Sequence, residues 1–352
     1  MLLSAALGAA AAIAPAISFG QANARVGVLL PINERIPGMK LAWQQGFQAE
    51  LIALDSHLQL DYVPYAVGSH RALAAAQLLL DQGCTTITGI FNRNLATHLS
   101  PSLEKHNANF LVSDLGANAL RGNSTCARLA RVGPNLWQHA YLAGQHAAAQ
   151  GASNALIATS FYEAGYDLPG AFKQGFIDGG AQSAEIVVTG TPELSAGDDG
   201  FARITVALAA NARAVDVLFS LYSGREASRY LRFARTLTLR VGRMMALSPL
   251  LHGMPRRTVA DAPMTVVNAS VSGVSRADES LYMAMGRVAA RGVLTARGET
   301  CASDVAWQAT VNDGSAASGN ASTSVASQTL NPDACAPWQE ATVSGWIAPY
   351  GA

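Results

Sequence analysis

Arg93 stands between two amides, Asn92 and Asn94, directly after a short apolar run, a grouping suited to capturing an anion. A guanidinium presents a planar fork of N–H donors that meets a carboxylate in bidentate fashion, and neighbouring amides add donors and acceptors. A second use is open to Arg93, as a surface arginine at a helix start. Asp114, after the next apolar run, reads either as a ligand contact or as a local Asx-turn or cap. Four aromatics, Phe161, Tyr162, Tyr166 and Tyr222, follow two later apolar runs. Their rings could line a pocket for a neutral, aromatic or largely apolar molecule, with Asn118 as a further amide. Ordinary packing inside the protein is the other use of such rings, and Tyr166 and Tyr222 are read as the pocket members.

Motifs for turnover are missing around these residues. No G-x-G-x-x-G follows a strand, and neither G-x-x-x-x-G-K-[ST], H-E-x-x-H nor G-x-S-x-G occurs. His139 and His146, seven apart on one helix face, read as a solvated or core-edge pair rather than a ligand pair. The cysteines form no C-x-x-C and have no histidine nearby, so no metal and no cofactor are expected. An α/β enzyme assembling its groups from distant positions remains the lesser alternative.

The elements that must position these residues show as short apolar runs alternating with longer amphipathic ones over residues 25–250. That is the pattern of βαβ units with parallel strands covered on both faces. Strands are expected near 25–30, 58–63, 86–91 and 109–113, with helices at 38–54, 70–82 and 95–106. A second series has strands near 155–159, 185–189, 215–220 and 240–247, and helices at 137–150, 168–179, 201–212 and 226–237. A further helix at 277–294 is assigned back to the first series, and 342–347 reads as a last strand. Ligands of open parallel sheets bind beyond the carboxyl ends of strands. That rule selects the loops 31–37, 92–94, 114–118, 161–167 and 221–225, and the loop beginning at Ser248.

Segments 26–47 and 155–176 repeat one design: an apolar strand, a loop, Pro-Gly, then a helix carrying Gln-Gly-Phe, at Gln45-Gly46-Phe47 and Gln174-Gly175-Phe176. Two similar lobes follow from it, with a cleft between them. The first lobe is expected to hold 25–130 plus about 270–300, and the second 134–262 plus about 302–352, a division in keeping with the usual size limit of one core. Extended crossovers at 126–133 and 263–271 would form the hinge.

Half of the 352 residues are hydrophobic and 14% are charged, with 24 basic and 24 acidic side chains. No basic stripe for nucleic acid and no polybasic membrane patch stands out. Residues 1–24 carry no charge and end in Ala22-Asn23-Ala24, the small-x-small pattern of a cleaved export leader; a retained anchor is the other use of such a run. Export makes disulfides available, with Cys301–Cys335 closing a Gly/Ser/Ala/Asn-rich stretch and Cys84–Cys126 as the remaining pair.

At its strand-end loops the chain resembles the type I periplasmic binding proteins, in the branched-chain amino-acid and amide branch that serves ABC importers. The resemblance runs in order over 26–236. It includes AAAQLLLDQGCTTITGIF at 74–91, the run 109–120, Arg131-Val132-Gly133 at the first crossover, Tyr166 opening a helix and Tyr222 at a ligand-facing aromatic position. It implies two Rossmann-like lobes joined by a hinge of two or three strands, and a monomeric periplasmic receptor that carries a small molecule to an inner-membrane ABC permease. A sensor subunit for a signalling partner would resemble the family equally. In the family the first two ligand loops hold a carboxylate through hydroxyls and backbone N–H groups; those positions fall here on Arg93 and Asn94, then Gly116 and Ala117. An expected hydroxyl is absent, and Ser248 or a neighbour replaces the acid that binds an ammonium. The resemblance therefore implies a ligand other than a free amino acid, because a buried ammonium needs an acidic partner.

Overall fold

The structure, a computed structural model, describes residues 25–32, 34–66, 68–118, 128–190, 198–211, 214–237, 241–254, 264–271, 279–296, 307–312 and 327–330. The expected leader, Cys126, Cys301, Cys335 and the expected strand at 342–347 lie outside these residues. Among the described residues no helix is long and apolar enough to cross a membrane.

The first lobe runs β1 (Val26–Pro31), α1 (Met39–Ala53), β2 (Leu60–Tyr65), α2 (Ser69–Asp81), β3 (Thr86–Ile90), α3 (Arg93–Ala96), α4 (Ser100–Lys105), β4 (Asn109–Ser113) and β5 (Leu129–Val132). The second contains α5 (Leu136–Ala149), β6 (Asn154–Thr159), α6 (Leu168–Asp178), β7 (Ser183–Val188), α7 (Ala202–Ala210), β8 (Val215–Leu221), α8 (Gly224–Ala234), β9 (Val241–Leu247) and β10 (Met264–Val271). The chain then supplies α9 (Leu281–Ala296), β11 (Trp307–Asn312) and β12 (Ser327–Leu330).

Five parallel strands make the first sheet, in the order β2-β1-β3-β4-β5. The second sheet repeats that order as β7-β6-β8-β9-β10, and β11 and β12 extend it antiparallel beyond β10. Parallel strands covered on both faces need apolar residues on both, which is why β1 and β6 are almost wholly buried.

Gln-Gly-Phe has the same task in both lobes. A Cβ on Gly46 would stand 1.9 Å from the Met283 carbonyl oxygen of α9, and one on Gly286 would stand 2.0 Å from that of Trp43. In the second lobe Gly175 and Gly144 would meet the carbonyls of Tyr141 and Phe172 at 1.9 and 2.3 Å. Each glycine lets two helix backbones touch, α1 against α9 and α6 against α5. Flanking aromatics match as well, Trp43 stacked on Phe47 and Phe172 on Phe176. One cluster of buried apolar side chains runs from these rings through Ile36 and Leu250, joining the lobes. The α1–α9 contact also encloses charges. Arg287 donates to Glu50 at 3.0 Å and Glu279 at 2.6 Å, and Arg291 donates to Glu50 at 2.6 Å.

Three expectations are corrected. The stretch expected as the first crossover contains β5, which pairs with β4, so the chain leaves the first lobe at Gly133-Pro134-Asn135. The stretch expected as the second crossover is β10, paired with β9. In β5 (LARV) the arginine broke the apolar run. Cys84 is a free thiol, 1% exposed, donating to Asp61 at 3.7 Å, so the Cys84–Cys126 bridge is not formed. Burial, with Asp61 adding to it, pushes this thiol's pKa up to about 11.

Candidate functional site

Both sheets have the doubly wound order with a switch between the first and third strands of each series. Loops leaving the strands on either side of such a switch part to opposite faces and open a crevice at the carboxyl edge. Here those loops follow β1 and β3 in one lobe and β6 and β8 in the other, and the two edges face each other.

On the first-lobe side lies a crevice of about 270 Å³, including its open mouth, lined by Asn92, Arg93, Asn94, Asp114, Ala117, Asn118, Arg131 and Tyr166. Asn92 caps the short α3, its side chain accepting the Leu95 N–H at 2.9 Å. This cap starts the turn that carries Arg93 and Asn94. Asp114 ties the two loops together, accepting the Arg93 N–H at 2.8 Å and the Gly116 N–H at 2.9 Å. Its carboxylate thus acts as an Asx-turn and a cap while standing on the crevice wall.

Gly116 is not in the wall itself but makes room for it. With φ at +66°, it occupies the left-handed region, and a Cβ there would lie 2.6 Å from Arg131 Nη2 and 2.7 Å from Asn135 Cα. Without that side chain Arg131, on β5, extends to the crevice beside Arg93. Two guanidiniums and three amides therefore share one small space. Its wall from the second lobe is Tyr166, whose loop is held by the Asp167 N–H donating to Ala117 O at 3.2 Å and Asn118 Oδ1 at 3.1 Å. The Tyr166 phenol is pushed up in pKa by burial, with Arg35 opposing and Glu163 and Asp114 adding to the rise.

A second polar cluster joins the lobes directly. Arg35, in the loop after β1, donates from Nη2 to Glu163 Oε2 at 2.6 Å and Ser160 Oγ at 3.2 Å, and from Nε to Ser223 Oγ at 3.0 Å. Its guanidinium carbon lies 4.2 Å from the centre of the Tyr162 ring, in cation–π range. Glu163, 2% exposed, also accepts from Ser160 and from Ser223, the latter at 2.6 Å.

The remaining expected residues sit elsewhere. Phe161 and Tyr162 are half-exposed and pack edge to face with each other, Tyr162 serving Arg35 rather than the crevice. Tyr222 is buried in the second-lobe core, stacked on Tyr230 at 4.5 Å, edge-on to Phe201 and bonded to Thr189. An aromatic cluster with Phe201, Tyr230 and Phe233 surrounds its ring, and Tyr222 does not line the crevice. Ser248 opens the 3-10 turn Ser248–Leu251, whose Pro249 carbonyl accepts from Tyr282 of α9, and it does not line the crevice. Sequence reasoning missed the site roles of Arg131, Arg35, Glu163, Ser160 and Ser223. Arg131 interrupts an apolar run beside a ligand loop, a signal that could have found it. Arg35 and Glu163 carry only a weaker one, their place in loops already assigned to the cleft.

The family model described as periplasmic binding protein matches residues 25–262. No curated protein matches the sequence. Among solved structures, a solute-binding protein of an ABC transporter from R. palustris in complex with benzoate superposes with a TM-score of 0.65 at 13% identity, covering 89% of this chain and 99% of that one. An ABC transporter substrate-binding protein from Sphaerobacter thermophilus gives 0.63 at 18% identity, with 78% and 81% covered. A second R. palustris solute-binding protein, in complex with 4-hydroxybenzoate, gives 0.58 at 18% identity, with 79% and 82% covered. At these identities the likeness shows the fold alone. With the family model spanning more than half of its length, the chain belongs to the periplasmic binding protein family.

Proposed function

We propose that this protein captures a small aromatic carboxylate in the cleft and hands it to an inner-membrane ABC permease. The observation that carries the reading is the pair of guanidiniums, Arg93 and Arg131, on one wall of a crevice that Tyr166 closes from the other lobe. Two guanidiniums can meet both oxygens of a carboxylate through charge-assisted hydrogen bonds. A tyrosine offers a ring to stack against another. Likeness in fold to R. palustris proteins in complex with benzoate and 4-hydroxybenzoate supports the same ligand class. The charge-free run at 1–24 supports export to the periplasm, and capture between two lobes supports a receptor that works as a monomer.

Native mass spectrometry of protein purified from the periplasm of its own host tests the ligand class. A bound one-ring carboxylic acid is the expected result. A co-purified amino acid or sugar would overturn the reading, and turnover of the extracted compound would replace it with an enzymatic one.

A further inference from the structure

Every acceptor that holds the Arg35 guanidinium belongs to the second lobe, whereas Arg35 belongs to the first. The acceptors stand at the switch point of the second sheet: Ser160 and Glu163 beyond β6, Ser223 beyond β8. All three are nearly inaccessible, at 1%, 2% and 3% exposure, while the Arg35 side chain is 33% exposed. This is a prebuilt socket for a planar cation: a carboxylate, two hydroxyls oriented by it, and an aromatic face from Tyr162. Glu226, in the first turn of α8, stands beside it, with its Oε2 shielded from solvent. Burial raises the Glu226 pKa, with Glu163 adding and Ser160, Arg35 and Arg229 opposing. Glu163 is the carboxylate ion-paired with the Arg35 guanidinium.

The loop bearing Arg35 is seated as closely as its side chain. Gly224 at the start of α8 has φ at +58°, and a Cβ there would lie 2.4 Å from the Arg35 carbonyl oxygen. Backbone of one lobe therefore rests on backbone of the other at the mouth of the socket. The carboxylate-binding crevice lies next door, with Tyr166 between, and draws seven of its eight lining residues from the first lobe.

We propose that Arg35 is the built-in cation of the second lobe, filling a socket that would otherwise take the guanidinium or ammonium group of a ligand. Moving the lobes apart withdraws Arg35 and breaks its charge-assisted hydrogen bonds to Glu163, Ser160 and Ser223, so the contact latches the closed form. It is also a specificity device. A ligand with a cationic end must compete with Arg35 for the socket, whereas a ligand with only a carboxylate leaves it undisturbed. This second consequence rests on the proposed ligand class; the latch does not.

The test uses the full chain, methylguanidinium as the probe and no carboxylic ligand, so its failure is separate from failure of the ligand reading. Small-angle scattering and thermal denaturation are followed for wild type, Arg35→Ala, and Arg35→Ala with Glu163→Gln, with matched sodium chloride as the ionic control. Arg35→Ala is expected to be more expanded than wild type. Methylguanidinium should return its radius of gyration to the wild-type value and raise its melting temperature saturably, while wild type and the double variant show neither response. An Arg35→Ala protein as compact as wild type, or an equal response in all three, would overturn the proposal. If Arg35→Ala does not fold, Glu163→Gln alone decides: expansion without a methylguanidinium response supports the latch, and wild-type compactness contradicts it.

Discussion

Among single residues, the site depends as much on an absent side chain as on those present. Gly116 provides both the left-handed turn and the space in which Arg131 reaches the crevice. Gly116→Ala should therefore cost about 1–2 kcal/mol in backbone strain and also displace the guanidinium. Urea unfolding and titration with benzoate would register the two losses separately; unchanged affinity in a folded variant would show that Arg131 does not bind ligand. That Asn92, Arg93, Asn94, Asp114, Ala117 and Tyr166 line one crevice was legible in the sequence, because a strand's carboxyl end is a local signal and the loop follows it. Tyr222 obeyed the same rule and is nevertheless core, buried by ring packing with Tyr230 and Phe201. The pairing of Arg35 with Glu163, 128 residues apart, is tertiary information that no spacing carries.

At the scale of elements, the repeated Gln-Gly-Phe marks a helix crossing rather than a ligand contact. Its glycines let α1 meet α9 and α6 meet α5, and sequence alone shows only one partner of each contact. Most strands were readable from apolar runs, while β5 and β10 passed for connections. Charges buried between α1 and α9 give this pair a pH dependence. Burial alone would raise the Glu50 pKa, but Arg291 and Arg287 outweigh it and hold the carboxyl below its ordinary 4.5. The unfolded chain then takes up the proton first as pH falls. Stabilisation by Glu50 is complete above pH 4.5 and is lost as pH drops through the lowered value. Glu50→Gln, which leaves two arginines without their shared carboxylate, is expected to lower stability by about 3 kcal/mol at neutral pH and to flatten the acid limb. Denaturant titrations over a pH series would show this; parallel pH profiles for the two proteins would rule it out.

Across the whole molecule, two lobes of the same strand order bring four strand-end loops face to face and divide the work between them. The first lobe supplies two guanidiniums to the crevice, and a third, Arg35, to the acidic end of the second. On the proposal above, an anion subsite and a cation subsite both lie in the cleft, and the protein itself occupies the one for a cation. The doubled architecture was evident from the repeat, whereas this division was not, because it depends on which loop crosses the cleft. The central claim is that a carboxylate is held by the Arg93 and Arg131 pair. Calorimetric titration with benzoate and 4-hydroxybenzoate against their carboxamides tests it most directly. Losing one charge-assisted hydrogen bond, about 1.5–3 kcal/mol, should weaken the amides at least tenfold. Carboxamides binding as tightly as the acids, or no binding by either acid, would contradict it.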